Sequence, residues 1–549
     1  VDLLVYLIIW IGKAILKAHR QGQERRQEQA SQRPGPASRP SPARPGPQRP
    51  APARPQPAAR SPRSNRVEQV LARLEALADG AAGQDDALAA LSARFGALGG
   101  TGRVFVRVID ERLRPELSAA AQVAADTATQ ARNAPGVMAA SVLSGARQLP
   151  AAQRTLDLAP TRIALLTRMA GWREDPAVGG MLADADAIAA AMWQPLQDFA
   201  THQGLQVPRE RPVTAPVSGA ESMWPDLLPA HTPVVVVPDD YQDDLFRQAS
   251  VAHEIAHLVW LRVPRLASQT AQVMDLQVPP RLLVFENGRV RGTLHQPFSG
   301  WLEEIFCDAM TVSILGPSGL RGLVHSFAAP ADPESVTVAH ATGDGGYAPH
   351  PPPHLRVHMA ARTLARMGFD ADSQSILADW DRQHEHPDAV ILPCAGGVQV
   401  RVGQQVLLDF IAPRLEAWYD AELPALSGFR IESIPGWMMT PGLWARVRRR
   451  AAELAEGKPF HDDGRVVLAA AIEARRMAPD QAARIAKGLR RAVLGRDAGE
   501  RRVKDPNYTR KQAHGHDHRA ADEFRDALLL GEILGPPAFR RRRAGARLG

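Results

Sequence analysis

The chain has 549 residues, 45% of them hydrophobic, and a formal net charge of +7 at pH 7. That length allows two to four domains with sizeable cores, and two cysteines, Cys307 and Cys394, exclude a disulfide framework. The charge is uneven: residues 18–66 carry +9 and residues 440–549 carry +11, which leaves about −14 on residues 67–439.

Residues 1–17 join an apolar run at 3–12 to Lys13 and Lys17. The run is short for a bilayer, and its charges follow rather than precede it. It predicts a membrane anchor, spanning or interfacial, rather than a cleaved signal. Residues 18–66 form a Pro/Arg-rich linker, with 11 prolines between Ser31 and Arg63 and 11 Arg against 2 Glu. Such a flank predicts contact with the membrane surface through residues 1–66 and a catalytic region facing the cytoplasm, a reducing compartment that suits the two cysteines.

From 67 to 203 the pattern is helical. Val67, Val70, Leu74 and Leu77, then Leu88, Leu91, Phe95 and Leu98, recur at helical spacing. Gly80 and Gly83 interrupt the two runs, and breaks are expected at Pro135, Pro150 and Pro160. The region reads as a helical domain or as helices packed on the next one.

Residues 204–375 hold the chemistry. A β-branched run at 233–238 predicts a strand, and Asn287-Gly288 between the apolar runs of 282–294 predicts a hairpin. Between them a helix over 244–260 bears His253-Glu254-Ile255-Ala256-His257. Residues four apart share a helical face, so both imidazoles can reach one ion, with Glu254 beside them to take a proton from its water. A second helix over 300–310 places Glu304 and Asp308 on one face. A two-histidine zinc site needs a third protein ligand. Glu304 is the first candidate and Glu303 its competitor, because only Glu304 has an aspartate four residues later. Asp308 is then the carboxylate that accepts the other ring N–H of a ligand histidine. Cys307, within the same helix, reads most simply as a small buried apolar residue, with a cysteine zinc ligand as the lesser alternative.

H-E-x-x-H followed by E-x-x-x-D resembles the gluzincin zinc metallopeptidases. His350-Pro-Pro-Pro-His354-Leu-Arg-Val-His358 is similar to the His-Pro-Pro…Arg segment of the CAAX-prenyl-protease and heat-shock membrane metallopeptidase group. The resemblance covers about residues 230–367. It implies a zincin-like core with Zn2+ on His253, His257 and Glu304, Glu254 as general base, Asp308 behind the ligands and a peptide or protein substrate. That group embeds its catalytic domain among membrane helices, whereas no apolar run of 18 residues occurs here, so its particular substrates and its membrane-embedded site are not carried over. His350, His354 and His358 are candidates to line the cleft, and Tyr347 and His340 are candidates to stabilise the transition state.

Residues 376–549 read as mostly helical and basic. His514-Gly-His-Asp-His518 fits a solvated loop better than a metal site, and the arginines at 540–543 lack the aromatic interleaving of a nucleic-acid surface. The expected fold class is α+β, mostly α. The expected function is a membrane-tethered zinc metallopeptidase, with a non-catalytic zincin-like sensor or scaffold as the alternative. Oligomeric state is not legible.

Overall fold

The computed structural model describes residues 62–494, apart from 101, 136, 218–227, 229–231, 239–243, 275–282, 287–288, 294, 329–335, 340–349, 385–388 and 394–398. The expected anchor and nearly all of the linker, the Asn287-Gly288 turn, His340, Tyr347, Cys394, the 514–518 histidines and the 540–543 arginines lie outside the described residues. Among the described residues the fold is mostly helical, with three two-stranded sheets.

The N-terminal part is a helical bundle. It comprises α1 (Pro62–Ala97), then α2 (Arg103–Val108), which continues through a π-helical turn at Ile109–Leu113 into α3 (Arg114–Asn133), then α4 (Val137–Gly145) and α5 (Leu149–Glu174). Leu74, Leu88 and Phe95 of α1 bury against Ala124 and Ala128 of α3 and Leu156 and Leu166 of α5. Ion pairs such as Arg73–Asp157 and Arg94–Glu174 rim that core.

One expected break is absent: α5 runs through Pro160, and α1 likewise runs unbroken through Gly80 and Gly83, which interrupt its apolar runs. A glycine in a helix costs only about 1 kcal/mol against alanine, and a proline about 3 kcal/mol. Several leucine or phenylalanine side chains buried on either side, each stabilising by about 1.5–3 kcal/mol, outweigh both. The break at Pro135 and the helix start at Pro150 are observed.

The remainder shares one core that reaches from Met181 to Ala492. Helix α6 (Pro176–Gln203) leads into β1 (Val213–Val217), which pairs in parallel with β2 (Val234–Pro238), the strand expected at 233–238. A short 3-10 turn at Arg247–Ala249 opens α7 (Ser250–Arg262), the histidine helix, followed by α8 (Leu266–Val273). The expected hairpin is present as antiparallel β3 (Leu283–Glu286) and β4 (Arg289–Thr293). Then come α9 (His295–Leu315), α10 (Pro317–Phe327), α11 (Pro353–Arg366) and α12 (Asp370–Gln383).

A second hairpin, β5 (Ala389–Pro393) with β6 (Gln399–Gly403), precedes α13 (Gln404–Asp420), α14 (Pro441–Ala455), α15 (Gly464–Met477) and α16 (Ala482–Leu494). Helix α15 is buried over its whole central stretch, from Val466 to Ala474. A helix apolar on every side belongs inside a fold. Ser318 of α10 donates to the Ala469 carbonyl at 2.8 Å, and Ser313 of α9 pairs with the Tyr419 hydroxyl at 2.9 Å. These bonds tie the C-terminal helices to the elements that carry the site.

Candidate metal centre

The histidine helix is held on nearly every side. Val251, Ala252, Ile255, Ala256 and Val259 are fully buried, while His253, Glu254 and His257 occupy the strip facing α9. Gly322 of α10 sits against the start of α7 so closely that a Cβ there would lie 2.2 Å from the Ala249 Cβ. Helix α9 is buried from Trp301 to Leu315 except at Glu303, and presents Glu303, Glu304, Cys307 and Asp308, a single helical face, to the histidines.

The side chains converge. His253 Nε2 lies 3.2 Å from His257 Nε2 and 3.3 Å from Glu304 Oε2, and His257 Nε2 lies 3.5 Å from Glu304 Oε1. The opposite ring nitrogens face carboxylates: His253 Nδ1 is 3.2 Å from Asp308 Oδ1, and His257 Nδ1 is 2.8 Å from Glu303 Oε1. An ionised carboxylate only accepts, so His257 Nδ1 carries the proton that Glu303 accepts, and a proton on His253 Nδ1 is the tautomer favoured by the adjacent Asp308. Both Nε2 lone pairs then point at each other and at a carboxylate. That arrangement is repulsive unless a cation, or a proton on one Nε2, sits among them.

The donor set fits zinc. With Zn–N and Zn–O near 2.0–2.1 Å, neighbouring ligands of a tetrahedral ion stand about 3.3–3.4 Å apart. The His253–His257 Nε2 separation of 3.2 Å is close to that value, and Glu304 spans the pair, with Oε2 3.3 Å from His253 Nε2 and Oε1 3.5 Å from His257 Nε2. Charge points the same way. Glu304 and Asp308 are only 5% and 1% exposed, with Glu254 and Glu303 beside them. Arg356 of α11 is the buried cation that meets them: its Nε and Nη2 hold Asp308 at 2.6 and 2.8 Å, and Nη2 lies 3.0 Å from Glu304 Oε2.

The titration behaviour follows from this crowding. Burial pushes the His253 imidazole down, but Asp308 and Glu304 outweigh it and raise its pKa to about 10, so the pocket draws a positive charge to the place a metal would take. Burial also works to raise the Glu304 and Asp308 carboxyls; His253 and Arg356 nevertheless hold Glu304 well below the usual range, and Arg356 with His253 holds Asp308 down. Glu254 goes the other way. Burial raises it against the pull of His257 and His253, as suits a proton acceptor. The Cys307 thiol is pushed well up by burial and by Glu304 and Glu303.

The structure therefore brings together His253, Glu254, His257, Glu304 and Asp308, and adds Glu303 and Arg356 to them. Glu303 does not point at the convergence but orients His257. His350 joins the rim, with Nε2 3.4 Å from Glu304 Oε1 and the side chain 62% exposed. His354 and His358 do not reach the site. Trp380 Nε1 donates to His354 Nδ1 at 2.8 Å, so the neutral ring keeps its proton on Nε2 and donates it to Gln404 Oε1. His358 Nε2 meets Asp381 Oδ1 at 3.1 Å. The His354–His358–Asp381 group has the composition of a metal site, but His354 has no lone pair left for an ion.

Comparison of the chain with protein-family models, with curated proteins and with solved structures returned no match.

Proposed function

We propose that this chain is a zinc-dependent metallopeptidase with a zincin-like catalytic core, tethered to a membrane surface through residues 1–66. One observation carries the reading: two imidazoles, each with a carboxylate beside Nδ1, bring their Nε2 atoms 3.2 Å apart, with one Glu304 oxygen 3.3 Å from the first and the other 3.5 Å from the second. No helix among the described residues is long and apolar enough to cross a membrane. The tether therefore rests on the sequence of residues 1–66 alone.

His253, His257 and Glu304 would hold the ion. Zinc, when bound, supplies the Lewis acidity that makes a water nucleophilic near neutral pH and polarises a peptide carbonyl. Glu254, next to His253 on α7 and raised by burial, accepts the proton of the attacking water and returns it to the leaving amine. His350, on the exposed rim, joins Tyr347 and His340, which lie outside the described residues, as a candidate to donate to the developing oxyanion. His257 and His350 are the solvent-facing members, so an extended peptide enters from their side.

The test pairs metal content with turnover of an unfolded protein substrate. The wild-type protein should hold about one zinc and cleave in a chelator-sensitive way. Glu254→Gln should keep the zinc and lose cleavage by orders of magnitude. Unchanged turnover in that variant, or zinc retained by a His253/His257 double alanine variant, sinks the reading.

A further inference from the structure

Glu304 is not the only third ligand in reach of the two histidines. Cys307 lies one turn further along α9, on the same face, and its sulfur stands within 4.8 Å of a ring nitrogen of His253 and of His257. It is fully buried, and no role described above uses it. Glu304 meanwhile has a second place to put its charge. Its Oε2 is 3.0 Å from Arg356 Nη2, so it stays paired when it leaves the ion.

We propose that the centre carries two alternative ligand sets, His253–His257–Glu304 for zinc and His253–His257–Cys307 for thiophilic divalent cations. The inference rests on the metal-site reading above and deepens it. Thiolate sulfur binds soft ions in preference to carboxylate oxygen, so a soft cation entering the site takes Cys307 while Glu304 falls back on Arg356. The step is balanced: the sulfur–metal bond forms as the thiol proton leaves to solvent, and the Glu304–metal bond is not made. The site is then open to poisoning or replacement by soft ions through a residue that hydrolysis does not need.

Cadmium is the probe. Zinc-free full-length protein is titrated with cadmium chloride while sulfur-to-cadmium charge-transfer absorption in the near ultraviolet and bound cadmium are followed. The band should grow to a single equivalent in the wild type, in Cys394→Ser and in Glu304→Gln. It should vanish in Cys307→Ser and Cys307→Ala, with cadmium affinity down by about an order of magnitude or more. Zinc binding by both Cys307 variants, through Glu304, shows that they are folded.

Cadmium bound without the band, or a band that survives in Cys307→Ser, overturns the second ligand set and leaves the zinc site standing. A chain that takes up neither zinc nor cadmium overturns both.

Discussion

His257 Nδ1 donates to Glu303 Oε1 at 2.8 Å, which makes Glu303 for one histidine what Asp308 is for the other. The bond sets the tautomer of His257 and leaves its Nε2 lone pair for the ion. Glu303 occupies the position before the ligand carboxylate and, unlike Asp308, is partly exposed.

Removing it should weaken the metal without abolishing the site. Glu303→Ala is expected to cost about 10–100-fold in zinc affinity, the usual effect of losing such a partner. Competition against a chromophoric chelator measures it. Glu304→Ala should do far more and leave the protein essentially zinc-free. The reverse order of the two variants would exchange the roles assigned to these neighbours.

Much of this centre was legible in the sequence, because it depends on spacings within single helices. His253 and His257 share a face by their four-residue separation, and Glu304 with Asp308 do the same. Glu303 was legible only as a competitor for the ion. Adjacent helical residues diverge by roughly 100°, and nothing in the sequence says that both flanks of the facing helix are in reach. Nor could local pattern show that Arg356, 48 residues beyond Asp308, closes the charge balance. The same holds for the bond from Ser318 to Ala469, 151 residues away, and for the parallel partner of β2. Pro160 misled for the opposite reason: local propensity suggested a break, and burial on both sides overrode it.

Arg356 and Asp308 form a buried, two-pronged pair, and breaking such a pair leaves an uncompensated charge. Arg356→Met should therefore destabilise the protein by about 3–5 kcal/mol, read from denaturant unfolding of the zinc-free form. The double variant Arg356→Met/Asp308→Leu should recover part of that loss, since Asp308 no longer stands unpaired and Glu304, which also loses Arg356, still faces His253. A double variant no more stable than Arg356→Met would show that the cost comes from packing against Phe327, whose ring centroid lies 4.6 Å from the guanidinium carbon, and not from charge.

Gly322 tests how tightly the histidine helix is positioned from outside the site. A methyl group there would meet the Ala249 Cβ at 2.2 Å and the Phe246 carbonyl oxygen at 3.0 Å, so α10 or the start of α7 must move. Gly322→Ala should cost about 1–3 kcal/mol by overpacking. It should also lower zinc affinity, because His253 lies four residues after Ala249. Normal stability and normal affinity together would mean that the contact relaxes without cost.

Outside the metal centre, Asp184 of α6 gives a stability signal with a definite pH window. Its carboxyl is almost fully buried, and Arg490 of α16 donates to it from 2.9 Å. Burial outweighs the attraction of Arg490 and pushes the pKa up to about 6 from 3.8. The folded state therefore holds this proton more tightly than the unfolded state. The contribution of Asp184 falls as pH rises from about 4 to about 6 and is constant above that. Asp184→Asn keeps the shape and an acceptor for Arg490 while removing the charge. Near pH 4 it should match the wild type. At pH 7.5 it should be the more stable protein, by up to about 3 kcal/mol for a shift of about two pKa units. Thermal melts of both proteins at the two pH values decide the matter, because every other titrating group cancels in the difference. A gap between variant and wild type that is equal at pH 4 and pH 7.5 would show that Asp184 stays ionised in the fold throughout, with Arg490 overcoming the burial.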